Sequence, residues 1–176
     1  KIDSTDGDFV IYPAHATDDV SDVGEVELVI LGVKAWQVPD AARAIKPIVG
    51  AVTTVLPLQN GVDAVSQLVA ELGTEPVIGG LCRIVSYIVE PGHIRHAGFQ
   101  PTIVIGEIDN RRTDRIAKIE QVFKHAGLNI SIAKDIQVAL WTKFLFIASF
   151  SGVGAMANAP AGVIRSDPKW RGYILN

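Results

Sequence analysis

The chain is poor in cysteine: Cys82 stands alone among 176 residues. A single thiol cannot close an internal disulfide, so the fold must rest on a hydrophobic core, and nothing marks an oxidising compartment. Excess positive charge is missing too. Sixteen lysines and arginines stand against nineteen acidic residues, for a net charge of -3, which leaves no basic footprint for nucleic acid. The opening residues, KIDSTDGDFVIYPAHATDD, lack the apolar centre of a secretion signal. Phe144–Met156 runs 13 residues without a charge, short of the roughly 18 to 20 of a spanning helix, and holds two serines and two glycines. Neither nucleic acid nor membrane is an expected partner, and a cytoplasmic location follows by default.

What is present is apolar content of 48% against 20% charged, which excludes disorder. The length allows one full domain, or one domain with part of another. Along the first half, strand-like and helix-like stretches alternate. DFVIYPA (8–14) reads as a short strand. VELVILGV (26–33) is a continuous β-branched run, the pattern of a strand buried on both faces of a parallel sheet. A helix is expected over 39–50, with proline near its start and glycine at its end. Strand 51–58 and an amphipathic helix over 61–73 follow. This is βαβ grammar. Residues 76–107 hold three strand-like runs split by EPGH and GFQP, expected to be antiparallel and at the sheet edge. A helix over 110–127 should bury Ile116, Ile119 and Phe123, with a strand over 128–133 after it. From Asp135, a helix-capping residue, the pattern is purely helical to about Ala157, and NAPAGVIRSDP starts another helix. The reading divides the chain into an α/β part, 1–134, and an all-α part, 135–176.

In open α/β sheets ligands bind beyond the carboxyl ends of the strands. The strand over 26–33 runs into Lys34 and Gln37, and that over 51–58 into Gln59 and Asn60. An ammonium and amides at neighbouring strand exits suit an anionic, carbonyl-bearing ligand, although turn chemistry alone also explains Asn-Gly. The apolar LWTKFLFIASFSGVGA (140–155) carries Lys143. Its stem can pack while its head snorkels to water. Alternatively, apolar surroundings lower its pKa and make it a proton donor.

Taken in order, VELVILGVKAWQV, LPLQNGVDAV, VIGG, EPGHIRHAG…IVIGE and ALWTKFLFIASFSGVGAM resemble the ketopantoate reductase (2-dehydropantoate 2-reductase) family over about Lys1–Pro168. The resemblance implies an α/β Rossmann-type dinucleotide-binding domain, its second half present here, followed by the start of an all-α domain of 6-phosphogluconate-dehydrogenase-like type. It implies reduction of a 2-oxo acid with NADPH, namely 2-dehydropantoate to (R)-pantoate on the way to pantothenate. Lys143 becomes the catalytic acid. Lys34, Asn60 and Gln59 become cofactor-binding residues, and Lys34, Asn60 and Ser151 bind substrate. Two copies would pair through the helical part.

The match departs from the pattern in three places. No G-x-G-x-x-G occurs in the chain, so the phosphate-binding loop is expected before Lys1, within a βαβ unit. The later helices, where the family places a substrate-holding glutamate and serine, are expected beyond Asn176. Asparagines are expected four and eight residues after the catalytic lysine, yet Ile147 and Ser151 stand there, so the substrate can differ. A dehydrogenase on another hydroxy or amino acid, and a non-catalytic binder of the same fold, remain as alternatives. His93 and His96 have metal-like spacing without a nearby acidic or cysteine partner in the sequence, and read as surface contacts. His15 and His125 are isolated. Trp36 and Trp141 read as packing residues, and Arg165 and Ser166 as a substrate contact and a helix cap.

Overall fold

The computed structural model describes residues 1–175. Strand β1 (Ile2–Asp3) is followed by β2 (Leu28–Leu31), helix α1 (Val38–Ile45), β3 (Thr54–Pro57) and helix α2 (Ala64–Leu72). Then come β4 (Gly79–Glu90), β5 (His93–Gly106), α3 (Asp114–His125) and β6 (Asn129–Ile132). Three helices end the chain: α4 (Ile136–Ala157), α5 (Ala161–Ser166) and α6 (Pro168–Leu175). β2 and β3 pair in parallel, Leu31 opposite Pro57. The Val55 N–H then donates to the Pro76 carbonyl at 2.7 Å, and the Ile78 N–H to the Val55 carbonyl at 3.1 Å, which joins β3 to the segment leading into β4. β4 and β5 are antiparallel, and β6 runs parallel to β5.

Alternation along these strands builds two cores, one on each face. On β3, Val55 faces α1, α2 and the first turns of α4 with Leu31, Ala42, Leu68 and Ile136. Its neighbour Leu56 faces α3, with Ile105, Ile116, Ile119 and Phe123. Val77 and Ile78 repeat the split. All four residues of β3 are buried, as a strand sandwiched between helices requires. Helix α3 begins where Thr113 accepts from the Ile116 N–H, and α4 where Asp135 accepts from the Val138 N–H.

Several expectations are corrected. No strand forms over 8–14. Phe9 makes one bridge to Ile2, and the residues after it find no packing partner, Tyr12 being 92% exposed. β2 is not buried on both faces. Among the described residues its strand partner is β3 alone, and Ile30 is 49% exposed. GFQP is not a turn between strands. The ladder passes from Arg83 opposite Thr102 to Val85 opposite Ala97, so residues 98–101 form a bulge within one long β5. Gly98 at φ +84 suits the left-handed step such a bulge needs. β5 is accordingly no edge strand, with β4 on one side and β1 and β6 on the other. The run from Phe144 is part of a 22-residue helix that by length and composition alone could cross a membrane. Its Ile136 and Leu140 instead sit in the core of the sheet.

The start of β4 is floored with glycine because its neighbours come too close for a side chain. A Cβ on Gly80 would stand 2.2 Å from Leu56 Cδ1 and 2.8 Å from the Pro57 carbonyl oxygen. One on Gly79 would meet Ile136 Cγ1 at 2.4 Å. Gly80→Ala should therefore destabilise the protein by about 1–3 kcal/mol, the usual cost of overpacking, read as a lower urea midpoint at unchanged m-value. An unchanged midpoint would show that β3 and β4 can part freely.

Candidate active site

Because β2 and β3 are parallel and end together, their exits form adjoining walls of one cleft, about 390 Å³ in volume. Lys34, Trp36, Gln59, Asn60, Cys82 and Ile84 line it. Lys34 starts a 3₁₀ turn over Ala35–Gln37, and its N–H donates to Gln37 Oε1 at 3.1 Å. Gln37 thus closes the turn locally and leaves the Lys34 ammonium in solvent. Trp36 is 77% exposed, a rim residue rather than the packing residue expected. Asn60 is exposed at the mouth of the cleft. Gln59 is buried, and its Nε2 donates to the carbonyls of Leu31 at 2.8 Å and Val33 at 3.1 Å.

Lys143 reaches Cys82 from helix α4. Ile136, Leu140 and Lys143 are the buried stripe of the first half of α4, at the i, i+4, i+7 spacing of one helix face. Lys143 is only 8% exposed. Its Nζ donates to the backbone carbonyl of Cys82 at 2.6 Å, so the ammonium is held against the strand that walls the cleft. Burial pushes its pKa below the ordinary lysine value; the Cys82 thiol pulls it back up and the Arg83 charge pushes it further down. The Cys82 thiol is itself pushed up by burial, against the pull of Lys143.

The structure thus brings Lys34, Gln59 and Asn60 into one cleft and links Lys143 to its wall. Ser151 lies two turns along α4, exposed, and is not among the residues lining that cleft. Ile147 between them is half-buried. Sequence reasoning missed Cys82 as a wall residue. The part it plays belongs to its carbonyl, which every residue carries, so no side-chain signal announces it. The histidines differ from expectation. His93 has an acidic partner, Asp3, at 2.8 Å, ninety residues away in the chain. His96 is buried, bonded to the Ser4 hydroxyl at 2.8 Å and the Phe99 carbonyl at 3.0 Å. Both fasten β1 to β5. Among the described residues no three or more His, Cys, Asp or Glu gather to hold a metal. Trp141 is exposed and stacks edge-on with Phe144. The Ser166 hydroxyl donates back to Gly162, and Asp167 instead caps α6 by accepting from the Lys169 N–H. Arg165, His15 and His125 are exposed.

A larger cleft, about 510 Å³, lies at the opposite end of β3 beside Thr53, Glu75 and Arg115. Its one cation is engaged. Arg115 donates to both oxygens of buried Glu107, at 2.7 and 2.5 Å, and to the Glu75 carbonyl. Burial pushes the Glu107 carboxyl up, but Arg115 and Thr113 together hold it below the ordinary range. This ion pair joins α3 to the sheet and offers no free group to a ligand.

Among curated relatives, an uncharacterized oxidoreductase, YkpB, of Bacillus subtilis is 32% identical over 143 residues. That alignment takes in 81% of this chain and 47% of that protein. A 2-dehydropantoate 2-reductase of Nostoc is 29% identical over 98% of this chain and 56% of its own length. The chain spans about half the length of the curated relatives it matches. Among solved structures, the 2-dehydropantoate 2-reductase of Geobacter metallireducens superimposes with a TM-score of 0.92 at 29% identity. It is matched over 98% of this chain and 57% of that one. A D-mandelate dehydrogenase solved with NADH and anilino(oxo)acetate shares the fold at a TM-score of 0.78 and 17% identity, over 85% of this chain and 48% of that one. Residues 1–110 match the profile described as ketopantoate reductase PanE/ApbA, and the chain belongs to that family.

Proposed function

We propose that the intact protein reduces the keto group of a 2-oxo acid with a nicotinamide cofactor, with 2-dehydropantoate as substrate and NADPH as donor. The observation that carries this reading is the placement of Lys143, an ammonium buried in an apolar helix face and aimed at the wall of the strand-exit cleft. The residues present fit the reactive end of such a cofactor. The cleft opens at the carboxyl ends of parallel strands, the customary ligand position in this architecture. Its rim includes Gly32, where a Cβ would meet nothing within 4 Å. When bound, the nicotinamide supplies the hydride that the protein's own groups cannot.

The side chains then divide the remaining work. The Lys34 ammonium, exposed on the rim, pairs with the substrate carboxylate, and the Asn60 amide hydrogen-bonds substrate or cofactor beside it. Lys143 protonates the carbonyl oxygen as negative charge develops there. Its lowered pKa suits this, because a general acid works best when its pKa approaches the working pH. Held by a neutral carbonyl rather than a carboxylate, the ammonium is pulled up only by the Cys82 thiol, and burial outweighs that pull. Ser151 is proposed as a substrate contact on α4. We divide the chain into a cofactor-binding part, 1–134, and a helical part, 135–176, whose exposed Trp141, Leu145 and Phe146 favour pairing of two copies through it.

A second reading, reduction of a different 2-oxo acid, is favoured by Ile147. Half-buried on the Lys143 face, it offers no hydrogen bond to a pantoate hydroxyl, and an apolar substrate arm would suit it better.

Lys143→Met keeps most of the stem and removes the proton donor. In the intact protein it should lower kcat by about 10²–10⁴-fold, the usual contribution of a positioned acid. Stability should change by no more than about 1 kcal/mol, because the lost hydrogen bond is offset by relief of a buried charge. The acid is active while protonated, so wild-type turnover should fall as pH rises through the Lys143 pKa, and the variant should lose that limb. Near-normal turnover at reduced stability would make Lys143 a packing residue.

A further inference from the structure

We infer that Gln59 is a positioning residue that sets where Lys34 stands, an inference resting on the reductase reading above. The ladder between β2 and β3 ends at Leu31 opposite Pro57, and a proline offers no N–H to extend it. Just past that end the Gln59 side chain reaches across and donates to the carbonyls of Leu31 and Val33, at 2.8 and 3.1 Å. Both partners are carbonyl oxygens, so the atom facing them must be the amide nitrogen. The two carbonyls flank Gly32, which has no side chain to anchor the turn, and Lys34 follows one residue later. One amide therefore replaces the missing rungs of the sheet and fixes the loop that carries the rim cation.

The same geometry removes Gln59 from direct ligand recognition through its N–H groups. Both hydrogens are engaged, and Oε1 is buried without a partner. With Gln59 8% exposed, the amide that meets a ligand is that of its neighbour Asn60, which lines the same cleft and is exposed. The two adjacent amides divide the task, one turned in to hold the opposite wall and one turned out. Loss of Gln59 leaves two carbonyls to find water, and the Gly32–Gln37 turn becomes free to move.

The test compares the intact wild-type protein with Gln59→Met, which keeps length but has no donor, and Gln59→His, which keeps a ring N–H at similar reach. Amide hydrogen exchange in residues 32–37 of ligand-free Gln59→Met should quicken about tenfold, the effect of roughly one net hydrogen bond, with α3 unchanged. KM for 2-dehydropantoate should rise by a similar factor while kcat per folded molecule stays near wild type, and Gln59→His should recover most of both losses. Unchanged exchange in 32–37, or faster exchange spread evenly through α3 with KM intact, would overturn the inference. A wild-type protein that turns over no 2-oxo acid would overturn the reductase reading alone, and the exchange comparison would still decide whether Gln59 holds the Lys34 loop. Should Gln59→Met fail to fold, Gln59→Leu, which likewise lacks the donor to the Leu31 and Val33 carbonyls, carries the same two readouts.

Discussion

The close approach of α4 to the glycine-floored start of β4 governs the rest of this structure. Ile136 sits where a side chain on Gly79 would collide with it and one on Gly106 would crowd it, so the helix lies directly on the sheet. Leu140, one turn on, completes the same core as Leu31 and Val55. The next buried position along the stripe is Lys143. Its ammonium therefore arrives at Cys82 because the apolar residues before it are locked, and the 2.6 Å hydrogen bond is the consequence of packing rather than its cause. A helix lifted by one methyl group would carry Lys143 away from the cleft wall.

Chemistry then follows from two different environments for two lysines. Lys34, on an exposed turn, keeps a hydrated ammonium suited to meeting an anion. Lys143 is buried with a neutral partner, and its charged form is disfavoured by desolvation. One exposed cation and one desolvated ammonium are what the proposed reduction of a keto acid would ask of the protein. The hydrophobic core is thus also an electrostatic device. The half-buried Ile147 next to Lys143 extends this apolar wall and bears on which acid fits.

Much of the architecture was legible from pattern. Continuous β-branched runs separated by amphipathic helices announced the parallel unit. Ile116, Ile119 and Phe123 fell on the buried face of α3 as their spacing required, and Asp135 caps α4. The misreadings share one origin, contacts remote in sequence. Tyr12 and its neighbours look like a strand but find nothing to pair with, and GFQP looks like a turn but is a bulge because β5 is held on both sides. The nearer carboxylate of His93, Asp3, lies ninety residues earlier, although Glu90, three residues before it, also stands 3.7 Å from the ring. At the candidate site, residue types pointed to Lys34, Gln59, Asn60 and Lys143, and the cleft gathers the first three. Their division of labour was hidden, since the partners of Gln59 and Lys143 are backbone carbonyls, which leave no mark on a sequence.

The central claim is that packing, and not a neighbouring carboxylate, prepares Lys143 to give up a proton. Its titration can be followed directly by NMR in protein carrying ¹³C-labelled lysine, with Lys143→Met used to assign the resonance. The account predicts a midpoint below the ordinary lysine value of 10.5. A midpoint at or above 10.5 would contradict it, for the ammonium would then be either solvated or paired with a charge, and in neither case an acid prepared by its burial.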